Sequence, residues 1–326
     1  MPKLEMHVHL EGNIPLATIA ELAERAGEAL PRPLETLYAT DNLADFLECL
    51  DWVCGLVRDA ETAKALARTF ARYCAEQGIV YAELIVNPTH WSGIDAPTLL
   101  TALDAGFTEA AADGLPQVTL LPSLLRQQSA EDALALVEWL GEAALPRVVG
   151  LSIDGNEAAA GRTGERFAPA FARARELGLG CTAHAGESSG PEGVEDALDL
   201  LGVSRIDHGI RAVEKPGLPE RLAREGVTLN VCVSSNVALV YGDITGHPLP
   251  ELIAAGVPVT LSTDDPVILG IDLVEELARV SAHLGWGLEE LMALQRNAIA
   301  ASFASDDLKS ALSIRLDSYR HGLTAA

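Results

Sequence analysis

The 326-residue sequence predicts an α/β fold of the closed (β/α)8, or TIM-barrel, kind, and three observations carry that expectation. Eight short β-branched or apolar runs alternate with helical-period stretches rich in Ala, Leu and Glu, the pattern of repeated βα units. From the second run onward the runs start roughly 22 to 38 residues apart, which suits a right-handed crossover through one helix. Hydrophobic residues make up 48% of the chain, enough to bury a large core in a single domain over 1–326.

Taken in order, the first strand is expected over Leu4–Leu10 and the second over Val80–Val86. The roughly 70 residues between them exceed a one-helix crossover, and segments near Ile19–Ala29, Leu43–Arg58 and Glu61–Gln77 read as helical. Residues 11–79 are therefore expected to form a helical insertion lying over the barrel mouth as a lid. The remaining strands are expected at Val118–Leu124, Val148–Asp154, Gly180–Gly186, Arg205–Gly209, Val227–Val233 and Val257–Thr263. Ala96–Ala112, Ala130–Glu142 and Glu165–Leu177 carry apolar residues every three or four positions and supply crossover helices. Leu273–Leu284 and Leu288–Ser305 are expected to wrap the barrel as additional C-terminal helices.

Composition narrows the partners. With 23 Lys+Arg against 47 Asp+Glu the formal charge is −24, which opposes nucleic acid and anionic membrane surfaces, because both need a concentrated positive field. A metal cation and a small neutral ligand remain compatible with it. The five cysteines include no C-x-x-C pair and no signal-peptide pattern opens the chain, so a reduced, cytoplasmic protein is expected. No apolar run reaches the ~18 to 20 residues that span a bilayer. Oligomeric state is not legible here.

The expected strand ends hold the chemistry. Strand one ends in His7-Val8-His9, whose spacing of two turns both imidazoles to one side of the strand. Strand five ends in His184-Ala185-Gly186-Glu187, strand six in Asp207-His208-Gly209 and strand eight in Thr263-Asp264-Asp265-Pro266. Active-site groups of such barrels gather at the C-terminal ends of the strands. The shared placement points to His7, His9, His184 and Asp264 around one metal ion, a donor set suited to catalytic zinc with a position left for water. His90, His247, His283 and His321 are expected to be surface or packing residues. The four lysines, Lys3, Lys64, Lys215 and Lys309, all lie away from mid-barrel strand ends, which argues against a lysine-bridged metal pair. Phosphate-cradling glycine loops, a G-x-S-x-G elbow and the H-x-E…P-C-x-x-C signature are all missing from the sequence.

Four motifs together resemble the adenosine deaminase family of the amidohydrolase superfamily over nearly the whole chain: Met6-His7-Val8-His9-Leu10-Glu11-Gly12, Thr182-Ala183-His184-Ala185-Gly186-Glu187, Ile206-Asp207-His208-Gly209 and Ser262-Thr263-Asp264-Asp265-Pro266. The resemblance implies one Zn2+ per chain on His7, His9, His184 and Asp264, and hydrolysis of a 6-aminopurine to a 6-oxopurine with release of ammonia. It implies that Glu187 donates a proton to N1 and that His208 assists deprotonation of the attacking water or stabilises the hydroxide. Asp265 would hold N7, its carboxyl kept protonated by the crowding of Asp264 and Glu187. The backbone amide of Gly155 would meet N3, and Glu11 would lie near the sugar.

The expected substrate is a purine nucleoside or base, adenosine or 2′-deoxyadenosine first, with adenine or an aminodeoxyfutalosine- or methylthioadenosine-type nucleoside as the alternative. Glu11 stands where nucleoside-acting members usually carry aspartate, whereas Thr263 matches the adenosine enzymes. Ser152-Ile153-Asp154-Gly155-Asn156-Glu157 departs from the usual Asp-Leu-Ala-Gly-Asp-Glu, Val233 stands where proline is common, and Gln127 where histidine is frequent. Arg126 is expected to neutralise nearby carboxylates or to pair a substrate anion. A different metal-dependent hydrolase and a silent purine-binding barrel are the competing classes.

Overall fold

The computed structural model describes residues 1–39 and 43–324. Eight parallel strands run in sequence order: β1 (Lys3–His9), β2 (Ile79–Val86), β3 (Gln117–Leu125), β4 (Gly150–Asp154), β5 (Gly180–Ala185), β6 (Arg205–His208), β7 (Thr228–Val231) and β8 (Val259–Leu261). The chain is a (β/α)8 barrel. Past the end of β8 it meets β1 again: His9 N donates to Asp264 O at 2.9 Å and Asp264 N donates to His7 O at 3.0 Å, around a Val8–Asp264 bridge. The closing hydrogen bonds thus join two segments that carry candidate ligands. β1 pairs with β2 through an irregular register, with three steps from Glu5 to Val8 opposite two from Ala82 to Leu84. Such a bulge bends the strand and re-aims its side chains, here just beneath His7.

The helices of the first insertion are Leu16–Ala26, Leu43–Gly55 and Ala60–Glu76. The first stops at Gly27 and not near Ala29, because Gly27 adopts a left-handed φ of 68° and its amide caps the last turn. Ala60–Glu76 begins with Asp59 accepting from Thr62 N, and packs against helix Ala96–Ala112 and β2 as a member of the outer ring. The earlier part of the insertion follows the end of β1 directly. Its turn Glu11–Asn13 contacts helices Leu43–Gly55 and Pro266–Leu269, and Asp51 accepts from His90 Nδ1 at 2.6 Å.

Three C-terminal helices, Leu273–Leu284, Leu288–Ala301 and Asp306–Thr324, complete the ring and floor. The last lies beyond the two expected from sequence. Leu312 and Leu316 pack with Met292, Ile299, Leu4, Met6 and Tyr81, a cluster that closes the end opposite the candidate site. Phe303 enters beneath the strands, where a Cβ on Gly180 would lie 2.2 Å from its ring. Over that ring sits Arg205, fully buried, with Nη1 2.7 Å from Glu83 Oε2. Arg205→Met leaves Glu83 buried without its partner and is expected to cost about 3–5 kcal/mol in urea unfolding. Adding Glu83→Gln should recover part of that loss.

All five cysteines are buried and none is in a disulfide. Among the described residues, no helix is long and apolar enough to cross a membrane.

Candidate metal centre and active site

The ends of β1, β5 and β8 bring three imidazoles and a carboxylate to one point. His184 Nε2 lies 3.1 Å from His7 Nε2 and 3.0 Å from His9 Nε2, and Asp264 Oδ1 lies 3.3 and 3.4 Å from the same two nitrogens. These four separations are the size expected between ligands of one zinc ion, since metal–nitrogen bonds of about 2.0–2.1 Å place neighbouring ligands about 3.3 Å apart. The donor chemistry agrees. His184 Nδ1 donates to Ile153 O at 3.1 Å, which leaves a lone pair on Nε2. Two further imidazole nitrogens and a carboxylate oxygen crowd that lone pair, a donor set that fits the metal the motifs imply.

Electrostatics follow from that crowding. Burial works against the charge on Asp264, yet His7, His208 and His9 hold its carboxyl well below the usual range. Burial opposes protonation of His7, but Asp207 and Asp264 outweigh it and raise its pKa to about 9. His184 is pushed well below its ordinary value by burial and by His7, His9 and His208. Asp207 accepts from Thr182 Oγ1 and Asn230 Nδ2 and lies within 4 Å of both His7 and His184.

His208 completes the group. Its Nε2 is 3.5 Å from Glu187 Oε1 and 3.9 Å from Asp264 Oδ2. Burial, then His7, lowers its pKa to about 4, so the ring is neutral. His208 and Asp264 have φ of 67° and 66°; of the described non-glycine residues only Ala144 shares that region. Backbone strain concentrated in this way marks side chains held against local preference.

Glu187 and Asp265 face the space beside the cluster. Burial, Asp264 and Glu157 raise the Glu187 carboxyl to about 8, and burial, Asp264 and Glu11 raise that of Asp265 well above its ordinary value. The same surroundings favour the protonated form of both carboxyls. A Cβ on Gly12 would sit 1.8 Å from Asp265 Oδ1, so the glycine of the first motif is what admits that carboxyl. Glu11 is buried; its Oε1 accepts from Asn87 N at 2.8 Å and Trp91 Nε1 at 2.7 Å, while its Oε2 has no partner. Gly155 follows β4 with φ 96°.

Arg126 turns inward. It donates to Thr163 Oγ1 and to the carbonyl of His184, with Glu157 3.9 Å away, which favours the neutralising role over a substrate anion.

Two groups escaped sequence reasoning. Glu157 accepts from the amides of Gly186, Glu187, Ser188 and Ser189 and from Ser189 Oγ, anchoring the loop that carries Glu187. Its position in Gly155-Asn156-Glu157 at a helix start was the available signal, but the amides it meets lie some thirty residues on. Glu157→Ala is expected to lower kcat by about a hundredfold, because a misplacement near 1 Å has that effect. Zinc content should not change, since His184 precedes the loop. The second group is His247, expected at the surface or in packing; it is buried and linked through Asn236 to His208.

Comparison with known proteins agrees with this construction. A family model described as adenosine deaminase matches residues 2–319. An adenine deaminase of Rhodospirillum rubrum is 36% identical over 326 residues, covering 97% of this chain and 96% of the relative. The crystal structure of an adenine deaminase from Arthrobacter aurescens superposes with a TM-score of 0.91 at 30% identity, covering 98% of this chain and 99% of the other. A zinc-bound amidohydrolase from Burkholderia ambifaria superposes with a TM-score of 0.89 at 29% identity, covering 100% and 93%. Motif order, barrel closure and full-length similarity converge, and the chain belongs to the adenosine deaminase family of hydrolytic deaminases.

Proposed function

We propose that this protein is a zinc-dependent adenine deaminase, which adds water to C6 of the free base and releases ammonia to leave hypoxanthine. The observation that carries the choice of substrate is the buried, unpartnered Oε2 of Glu11. Free adenine has an N9–H to donate to that oxygen. Adenosine and 2′-deoxyadenosine, the substrates to which the Thr263 motif pointed, carry a sugar on N9 and have no hydrogen there. They would leave the buried acid unsatisfied, and a site built to accept an N–H rejects analogues that lack it. The naming of similar proteins as adenine deaminases supports the same choice.

The other edges of the base find complementary groups. Neutral Asp265 donates to N7, the Gly155 amide donates to N3, and neutral Glu187 gives its proton to N1. Protonation at N1 draws electron density from C6 and prepares it for attack. His7, His9, His184 and Asp264 would hold one zinc ion per chain, which would supply Lewis-acid activation of the water. The turn Glu11–Asn13 and helix Leu43–Gly55 cover the base and exclude solvent.

Glu11→Gln tests the assignment. Two donors hold Oε1 as an acceptor, so the substituted amide turns its NH2 to where Oε2 was and meets N9–H donor to donor. The kcat/KM for adenine should fall by about a hundredfold or more. An unchanged value would remove Glu11 from base recognition.

A further inference from the structure

The end of β6 and the connection between β7 and β8 are joined by a buried hydrogen-bond chain whose direction can be read from one end. The backbone N–H of Leu249 donates to His247 Nδ1 at 3.1 Å. An amide can only donate, so Nδ1 carries no proton and the proton of His247 is on Nε2. That Nε2 lies 3.2 Å from a terminal atom of Asn236, which must be the acceptor Oδ1. The other end of the Asn236 amide, Nδ2, then donates to His208 Nδ1 at 3.1 Å. Asn236 is fully buried, His208 is 1% exposed and His247 6%, so water does not compete for these bonds. Burial keeps His247 neutral, its pKa lowered to about 4, as the chain requires.

We propose that Asn236, oriented by His247, is a positioning residue that locks His208 in the tautomer with its proton on Nε2. His208 then presents an N–H to the space it shares with Glu187 and Asp264. It can donate a hydrogen bond to the attacking oxygen and has no lone pair with which to take a proton from it. The inference rests on the deaminase reading for its catalytic meaning, and on the geometry alone for the tautomer.

Long-range ¹⁵N–¹H spectra of the zinc-loaded full chain, labelled at its eight histidines, test it. His208 is assigned by the signal lost in His208→Asn. The expected pattern is Nε2 protonated and Nδ1 bare. In Asn236→Asp a carboxylate of the same size accepts from His208 Nδ1–H and reverses that pattern. Its kcat should drop about a hundredfold with zinc content intact and KM little changed, since a wrong tautomer at a reacting histidine has effects of about that size or larger. His247→Gln keeps a donor for Asn236 Oδ1 and should retain most of the activity that His247→Leu loses. A wild-type His208 protonated on Nδ1 overturns the proposal whatever the variants do, as does a folded, zinc-loaded Asn236→Asp enzyme with full kcat. The wild-type spectrum needs no substrate, and its assignment needs only a folded His208→Asn variant. An inactive protein would count against the deaminase reading and leave the tautomer result standing.

Discussion

Glu187→Gln is expected to lower kcat for adenine by about a thousandfold while zinc stays bound. General acid catalysis by a positioned carboxyl contributes roughly 10²–10⁴-fold, and this carboxyl lies beside the ligand cluster, 3.5 Å from His208 Nε2, without belonging to it. The amide keeps the size of the side chain and its surroundings but has no acidic proton for N1. Zinc content measured alongside the rate separates this role from a ligand's, because loss of metal in the variant would mean that Glu187 had been misassigned. The pH profile gives a second check. Burial, Asp264 and Glu157 hold Glu187 protonated up to about 8, so its neutral, active form prevails below that value and is lost as the pH rises through it. A bound cation draws the titration lower, and the alkaline limb of the wild-type profile should lie at or below about pH 8. The residual activity of the glutamine variant should lack that limb.

Metal removal is expected to have the second large effect. Chelation, or His184→Ala, should abolish turnover, and zinc should restore the chelated wild type but not the variant. The physical reason is visible in the cluster. His184 Nε2 sits 3.1 and 3.0 Å from two other imidazole nitrogens, an arrangement suited to a shared cation. Binding to the folded chain alone stabilises it by about 4 kcal/mol when zinc exceeds its Kd a thousandfold. Thermal unfolding should therefore begin at a lower temperature in the stripped wild type, whereas His184→Ala should respond far less to added zinc. Equal responses of the two proteins would place the metal elsewhere.

Much of the barrel was legible because β-branched runs in parallel strands are buried on both faces and read as near-continuous apolar segments. Each expected strand overlaps an observed one, including Val257–Thr263 with β8 at Val259–Leu261. The four motifs were legible for a related reason. His7 and His9 share a face by the period of the strand, and strand ends in this architecture converge. Helix ends were read less well where a left-handed glycine such as Gly27 decided the stop. The helix Asp306–Thr324 was missed because it is rich in charged and polar residues and its apolar positions, such as Leu312 and Leu316, meet a partner only at the floor of the barrel.

What the sequence could not convey is pairing over distance. Glu157 has meaning through the amides of Gly186 to Ser189, and Arg205 through Glu83 and Phe303. His247 looked like any loop histidine until its neighbours Asn236 and Leu249 were in place. Glu11 is the instructive case for substrate. As a letter in a motif it marked a departure from nucleoside-acting relatives; Trp91 and Asn87 on one oxygen and an unpartnered second oxygen are what suggest the proposed acceptor role.

The most direct test of the central claim is ammonia release by the purified, zinc-replete protein from adenine and from adenosine under the same conditions. The account predicts stoichiometric hypoxanthine and ammonia from adenine, about one zinc per chain, and a kcat/KM for adenosine lower by about 10⁴-fold, the discrimination of a site left with an unsatisfied buried acceptor. Adenosine turned over as readily as adenine, or adenine left untouched by metal-replete protein, would contradict it.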